Sequence, residues 1–309
     1  CARAPFGRAG LLQKGEELRM KRRLWKRYRF AYLAICPFFI QFLIFQLIPT
    51  LATFYYSFTN WNGMKKPRWI GLDNYAMMLE DYQFLDAFRN TALYWIIGVA
   101  GVLCLSLMIA SMLNSQALRL KHFFKTVTFL PYVCASMAMG LIFGMLFDEN
   151  AGLVNAVIEL FGGRALPWLT SSRLARIPVH ILFIWRTIPW YTLIFLSGLL
   201  NIPAEFYEAA TVDGASGPQK FFRITLPQLG NISFFCFVTI TVDAWKIFNE
   251  PYTLAGPGSS NTSLFQLMYV NGFKIFKMGY ASALGVVLIA ILLVISLIQF
   301  RARRAQGEL

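Results

Sequence analysis

The sequence predicts an all-α integral membrane protein with six transmembrane helices, and three observations carry that prediction. Hydrophobic residues make up 57% of the 309 and charged residues only 14%, against roughly 45–50% and about 25% in soluble domains. The apolar residues gather into charge-free runs near or above the ~20 residues a helix needs to cross a hydrocarbon core about 30 Å thick. Lys and Arg concentrate on alternate connections between those runs, the asymmetry that sets membrane orientation.

Residues 1–29 form a basic tail with no apolar periodicity and no signal-peptide apolar region before Phe30; this end is expected to be disordered. Cys1 stands where a start Met is expected and is read as a truncation, since a lipidated Cys would lie outside, against the charge pattern. A charge-free run opens at Phe30 and closes at Gly63–Met64, and it holds a first span near 31–57. Further charge-free runs cover Thr91–Leu118, Thr126–Phe147, Ile224–Val242 and Met278–Phe300, giving spans near 91–114, 126–147, 229–252 and 278–300. The remaining span, near 178–202, is apolar except for Arg186 and carries Pro178 and Pro189, which neighbouring helices can accommodate inside a membrane. The membrane-spanning body is thus 30–300, with a connecting loop at 203–228 and a short tail at 301–309.

Eighteen Lys and Arg fall on one side, in residues 1–29, 119–125, the 203–228 loop and 301–304; nine fall on the other, where seven acidic residues offset them. Both termini and the 203–228 loop are therefore expected in the cytoplasm of a multi-pass plasma-membrane protein. The net charge of +14 follows almost entirely from this topology. The densest stretch, Lys21–Arg29, is placed to meet anionic lipid, and no nucleic acid is expected.

Other chemistries find little support. The five cysteines, at positions 1, 36, 104, 134 and 236, form no CxxC pair, and four fall inside expected helices, where Cys packs as a small apolar residue. His122 and His180 lie at helix boundaries without ligand-spaced partners, so no metal is expected. No GxxxxGK[ST] loop occurs, so the chain lacks the phosphate cradle for ATP; no cofactor is expected, and the chain is read as non-catalytic.

The loop is the most informative stretch. Pro203, with its fixed φ and missing N–H, suits the first turn of a helix that would run to about Val212. Asp213 and Gly214 form a turn, Gly being able to take positive φ cheaply, and Gly217–Pro218 restarts a helix into the fifth span. Glu208 gives the first helix an anionic group, while Ala209 and Ala210 are small enough for close approach to a receiving groove.

The order Glu208, Ala209, Ala210, three residues, Gly214, nine residues, then Ile224, Thr225, Leu226 and Pro227 resembles the signature of permease subunits of bacterial ATP-binding-cassette importers. The resemblance extends to Trp69–Thr91, similar to the external segment before the second span of the carbohydrate-uptake branch, and to Phe248–Ala283, similar to its last external loop. It covers roughly Lys21–Gln299, with one departure at Ala255, where a second glycine commonly precedes the Gly-Pro pair. The resemblance implies the type I importer permease fold, with a cytoplasmic coupling helix between the fourth and fifth spans. It implies that Glu208, Ala209, Ala210, Asp213, Gly214, Ala215, Ile224 and Pro227 transmit the stroke of an ATPase. The implied partners are a second, homologous permease subunit, two ATP-binding subunits and an extracytoplasmic solute-binding protein. The branch it resembles handles sugars, sugar alcohols and glycerol phosphate, so the implied cargo is a sugar or related polyol.

Charge inside a span costs at least about 2.5 kcal/mol per residue on insertion scales and needs a partner or an aqueous cavity. Arg186 and Asp243 lie at similar depths in neighbouring spans and are placed to pair, while Asp243, Lys246 and Glu250 are spaced three and four apart on one helix face. These charges either pair structurally or line the solute path. Trp190, Tyr191, Trp245 and Asn249 are candidate sugar contacts, with interfacial belt or packing as the alternative reading for the aromatics. An ion-coupled secondary transporter is the second function considered, though no pair of matching Gly/Pro-broken halves is visible.

Overall fold

The computed structural model describes residues 28–29, 31–115 and 118–305. The N-terminal tail expected to be disordered therefore lies almost wholly outside the described residues, as does the end of the C-terminal tail. The chain divides between Tyr55 and Tyr56 into two units. The first consists mainly of α1 (Ala31–Tyr56), apolar all round as befits a helix solvated by lipid. One turn, Leu43–Leu47, is widened to a π-helix. It immediately precedes Pro49, whose ring in a regular helix would meet the carbonyl of Phe45.

In the second unit a two-stranded antiparallel ribbon, β1 (Thr59–Asn60) and β2 (Arg68–Trp69), pairs Thr59 with Trp69. Then follow α2 (Asp73–Glu80), α3 (Tyr82–Asn114), α4 (Lys121–Val133), α5 (Ser136–Leu146), α6 (Leu153–Leu160) and α7 (Arg176–Leu200). The loop region supplies α8 (Ala204–Val212) and α9 (Gly217–Lys220), and the chain closes with α10 (Gly230–Trp245), α11 (Asn249–Thr253), α12 (Leu264–Tyr269) and α13 (Met278–Ala305). Among the described residues, five helical stretches are long and apolar enough to cross a membrane, and α4 with α5 would supply a sixth as a bent pair.

That pair departs from the straight span expected over 126–147. The helix breaks by 95° between Val133 and Ser136, where Cys134 (ψ 143°) and Ala135 (ψ 122°) are extended. Pro131 lies one turn earlier; it removes one helical hydrogen bond and crowds the carbonyl of Val127. The second span also begins earlier than expected. Asp81 caps α3 by accepting the Gln83 N–H at 2.9 Å, and Phe84 and Ala87 continue its buried face through the charged turn of Asp86 and Arg89.

Packing in this unit centres on α3 against α7. Val99, Val102, Ala110 and Leu113 meet Tyr191, Phe195, Leu196 and Leu199, with Leu229, Cys236 and Ile240 closing the cluster. Gly98 is required for this approach, because a Cβ there would lie 2.6 Å from the Phe183 ring. Side chains on one stripe of α3 also hold the 255–264 connection. Asn90 Nδ2 donates to the carbonyls of Ser259 and Thr262, Tyr94 Oη donates to that of Asn261, and Thr91 Oγ1 accepts the Leu264 N–H, at 2.8–3.0 Å. Between α5 and α6, Asp148 receives the N–H groups of Ala151 and Asn150, which hold its carboxyl below the usual carboxylate range.

Candidate functional site

Two regions gather the residues singled out in the sequence. The first is the connection between α7 and α10. Pro203 (φ −58°, ψ 135°) caps α8 rather than entering its first turn, so its ring sits one residue earlier than expected. The helix stops at Asp213, and Gly214 adopts φ +74°, a left-handed conformation that glycine takes without a Cβ penalty. The N–H of Asp213, Gly214 and Ala215 close the end on the carbonyls of Ala209, Thr211 and Ala210 at 2.9–3.1 Å. A capping box of Ser216 and Gln219, followed by Pro218, starts α9.

A π-helical turn, Phe221–Thr225, and a short turn, Leu226–Gln228, lead into α10. Ile224 is half-buried and Pro227 exposed at this junction. Two contacts fasten α8 to it: the hydroxyls of Tyr207 and Thr225 bond at 2.9 Å, and Lys220 Nζ donates to Thr211 Oγ1 at 2.8 Å. Tyr207 and Thr211 sit one turn apart on the inner face; sequence reasoning did not single them out, although their i, i+4 spacing was visible. The outer face carries exposed Glu208 and Ala209 with Phe206 and Val212, the last 88% exposed, while Ala210 is half-buried. Among the described residues Glu208 makes no ion pair.

The second region is a polar cavity of about 400 Å³ between α7 and the α10–α11 junction. Arg186, Trp190 and Tyr191 line it from α7, and Asp243, Lys246, Asn249 and Glu250 from the other wall. Tyr132 closes it from α4, stacked on Trp190 with centroids 5.4 Å apart and planes at 16°. Trp245 is absent from the lining. It is 2% exposed and packs between Phe88 and Trp95, so its position is that of a core residue.

The expected pairing of Arg186 with Asp243 is replaced by another. Both Nε and Nη2 of Arg186 reach Glu250 Oε1 at 2.7 Å, and Glu250 is 2% exposed. Asp243 Oδ2 instead accepts the Tyr191 hydroxyl at 2.8 Å. The reason is a helix break: α10 ends at Trp245, Phe248 takes φ −136° and ψ −54°, and α11 starts at Asn249. The three-and-four spacing of Asp243, Lys246 and Glu250 therefore does not place them on one face, and Glu250 turns toward α7. Asn249 Nδ2 donates to Ser136 Oγ at 2.9 Å, tying α11 to the first residue after the break in the third span. The lining thus offers two cations, two carboxylates, an amide and aromatic faces, a set suited to hydrogen-bonding a polar solute.

Known proteins resemble this chain in sequence and in fold. Residues 102–306 match the family described as binding-protein-dependent transport system inner membrane component. The probable ABC transporter permease protein YurN of Bacillus subtilis is 33% identical over 276 residues, covering 87% of this chain and 94% of its own. The arabinooligosaccharides transport system permease protein AraP of the same organism is 31% identical, covering 87% of each chain. The lactose transport system permease protein LacF of Rhizobium radiobacter is 29% identical, covering 89% of this chain and 94% of its own. Among solved structures, a bacterial alginate ABC transporter in complex with an alginate pentasaccharide-bound periplasmic protein shares the fold, with TM-score 0.78, 23% identity and coverage of 92% and 98%. The chain is a member of the binding-protein-dependent transport system inner membrane component family, the permease subunits of ABC importers.

Proposed function

We propose that this permease imports a sugar or related polyol by alternating access, driven by ATP hydrolysed on partner subunits. The observation that carries the reading is the α8 elbow. A short helix with an exposed face of Glu208, Ala209, Phe206 and Val212 stands at the end of the chain assigned to the cytoplasm, directly joined through Phe221–Thr225 to the helix that walls the cavity. Docked on an ATPase, α8 would move as a lever, with Glu208 meeting a basic residue of the ATPase and Gly214 setting the angle between the arms. The proposed assembly contains a second, homologous permease, two ATP-binding subunits and an extracytoplasmic binding protein, with both termini of this chain cytoplasmic. Its six crossings include α4–α5 as one broken span.

The sugar assignment draws on the names of AraP and LacF and on the cavity, where Arg186, Trp190, Tyr191, Asp243 and Asn249 lie at the solute path. The family relation sets aside the ion-coupled secondary transporter. The test is site-directed cross-linking from Ala209→Cys in the membrane-embedded complex. Capture of a nucleotide-hydrolysing subunit is expected. A cysteine labelled only from the outside would overturn both the orientation and the lever.

A further inference from the structure

Beyond the polar cavity, one group of aromatic rings has the properties of a second binding surface. Phe248 lines the cavity and lies 5.1 Å from Tyr252, 5.9 Å from Phe265 and 4.9 Å from Tyr269, centroid to centroid. Tyr269 continues the chain to Phe273 at 5.3 Å. The five rings therefore run without a gap from the cavity wall to Phe273, which is 61% exposed. Phe248 stands at the break just before α11, and the others belong to α11, α12 and the π-helical turn Val270–Lys274, the segment assigned to the external side.

None of these rings is buried, whereas Tyr94, Tyr191 and Trp245, the core aromatics of the same unit, are at most 2% exposed. Phe265 leans on the core cluster around Leu264 and Leu267, while Phe248, Tyr252 and Tyr269 are half-buried and Phe273 is exposed, so the series leaves the core toward the surface. Lys274 Nζ sits 4.8 Å from the centre of the Tyr252 ring, which sets this part of the series at or beyond the hydrated edge of the bilayer rather than in its hydrocarbon. Tyr252 also holds Lys274 above the usual lysine range. What remains is a wet aromatic surface continuous with a polar cavity. A sugar ring is the small solute that matches it, since its C–H face packs on a π face while its hydroxyls stay in water.

We propose that Phe248, Tyr252, Phe265, Tyr269 and Phe273 form a stacking lane, a saccharide subsite that receives a sugar ring at the outer face and passes it to the cavity. The proposal rests on the sugar reading above. In the lane the contacts are sequence-tolerant faces; in the cavity Arg186, Asp243 and Asn249 supply directional hydrogen bonds. A solute can therefore slide along one and be oriented by the other.

Saturation-transfer NMR on the complete transporter in detergent tests this, with maltotriose, cellotriose and arabinotriose as probes and ring-free sorbitol as control. Transfer to ring C–H protons of at least one trisaccharide is expected for the wild type, and any transfer to sorbitol, a polyol the cavity can hold without stacking, should not depend on Tyr269 or Phe273. Tyr269→Leu with Phe273→Ala should weaken that binding at least about five-fold, the lower end for two aromatic contacts, and Tyr269→Trp with Phe273 intact should keep wild-type binding. Equal binding by wild type and the double variant would overturn the lane and leave the sugar reading standing. No transfer to any trisaccharide in the wild type would overturn both. Loss of the second permease subunit from the double variant during purification would overturn the lane in favour of a subunit interface.

Discussion

Removing Arg186 from its pair with Glu250 tests how the cavity wall is held. Glu250 is 2% exposed and Arg186 25%, so this is a pair buried on the carboxylate side and reached by water on the other. Breaking a buried pair by deleting one partner costs about 3–5 kcal/mol, because a charge is left without compensation. Partial exposure of the arginine places the expected cost of Arg186→Ala at the lower end, about 3 kcal/mol. At roughly 2–4 °C per kcal/mol for a domain of 150–250 residues, the unfolding midpoint should fall by about 6–12 °C. Thermal unfolding of the purified complex measures this. Replacing both partners, Arg186→Met with Glu250→Leu, should recover most of the loss, since an apolar pair of similar volume is often neutral. Uptake should stay impaired in the double variant if the guanidinium also contacts solute. A single variant within 1 °C of wild type, or a double variant less stable than either single, would refute the reasoning.

Further changes probe other links. Glu208→Lys should leave membrane insertion and thermal stability unchanged and separate ATP hydrolysis from uptake in proteoliposomes; full coupling would contradict the lever. Gly214→Pro cannot adopt φ +74°, so the same assay should show uncoupling with α8 misdirected. Tyr207→Phe removes the bond to Thr225, worth about 0.5–1.5 kcal/mol, and amide hydrogen exchange should quicken in α8 while α7 is unchanged. Gly98→Leu drives a side chain into Phe183, and overpacking of this kind costs about 1–3 kcal/mol, read as a lower unfolding midpoint with no change in assembly partners.

Most of the helical architecture was legible because hydropathy in a bilayer leaves few alternatives. The helix after Pro203 and its stop at Asp213–Gly214 were legible for another reason: those residues are start and stop signals in themselves. Boundaries were less so. A charge-free run ends at Arg89, yet α3 continues outward to Tyr82 because charged residues at a helix end need only face water. The break at Cys134–Ala135 lies inside apolar composition and that at Lys246–Phe248 among charged residues whose spacing suits a continuous helix, and composition carries no record of direction. The second of these breaks decided which carboxylate met Arg186, so an inference from residue spacing on a continuous helix selected the wrong partner. Trp245 illustrates the same limit. An aromatic side chain near a cavity looks alike on either side of its helix until neighbours such as Phe88 and Trp95 are known.

The separation of Arg186 and Glu250 along the chain, 64 residues, bears on how the protein is made. At about 5–20 residues per second the ribosome takes about 3–13 s to reach the glutamate after the arginine has emerged. For that interval α7 carries a guanidinium with no counter-charge, at a cost of about 2.5–3.5 kcal/mol in the bilayer centre. The guanidinium gains its counter-charge only once α10 and α11 have been made. The stability of α7 is thus completed by a residue synthesised 64 positions later, and the pair binds the early helix to the late one.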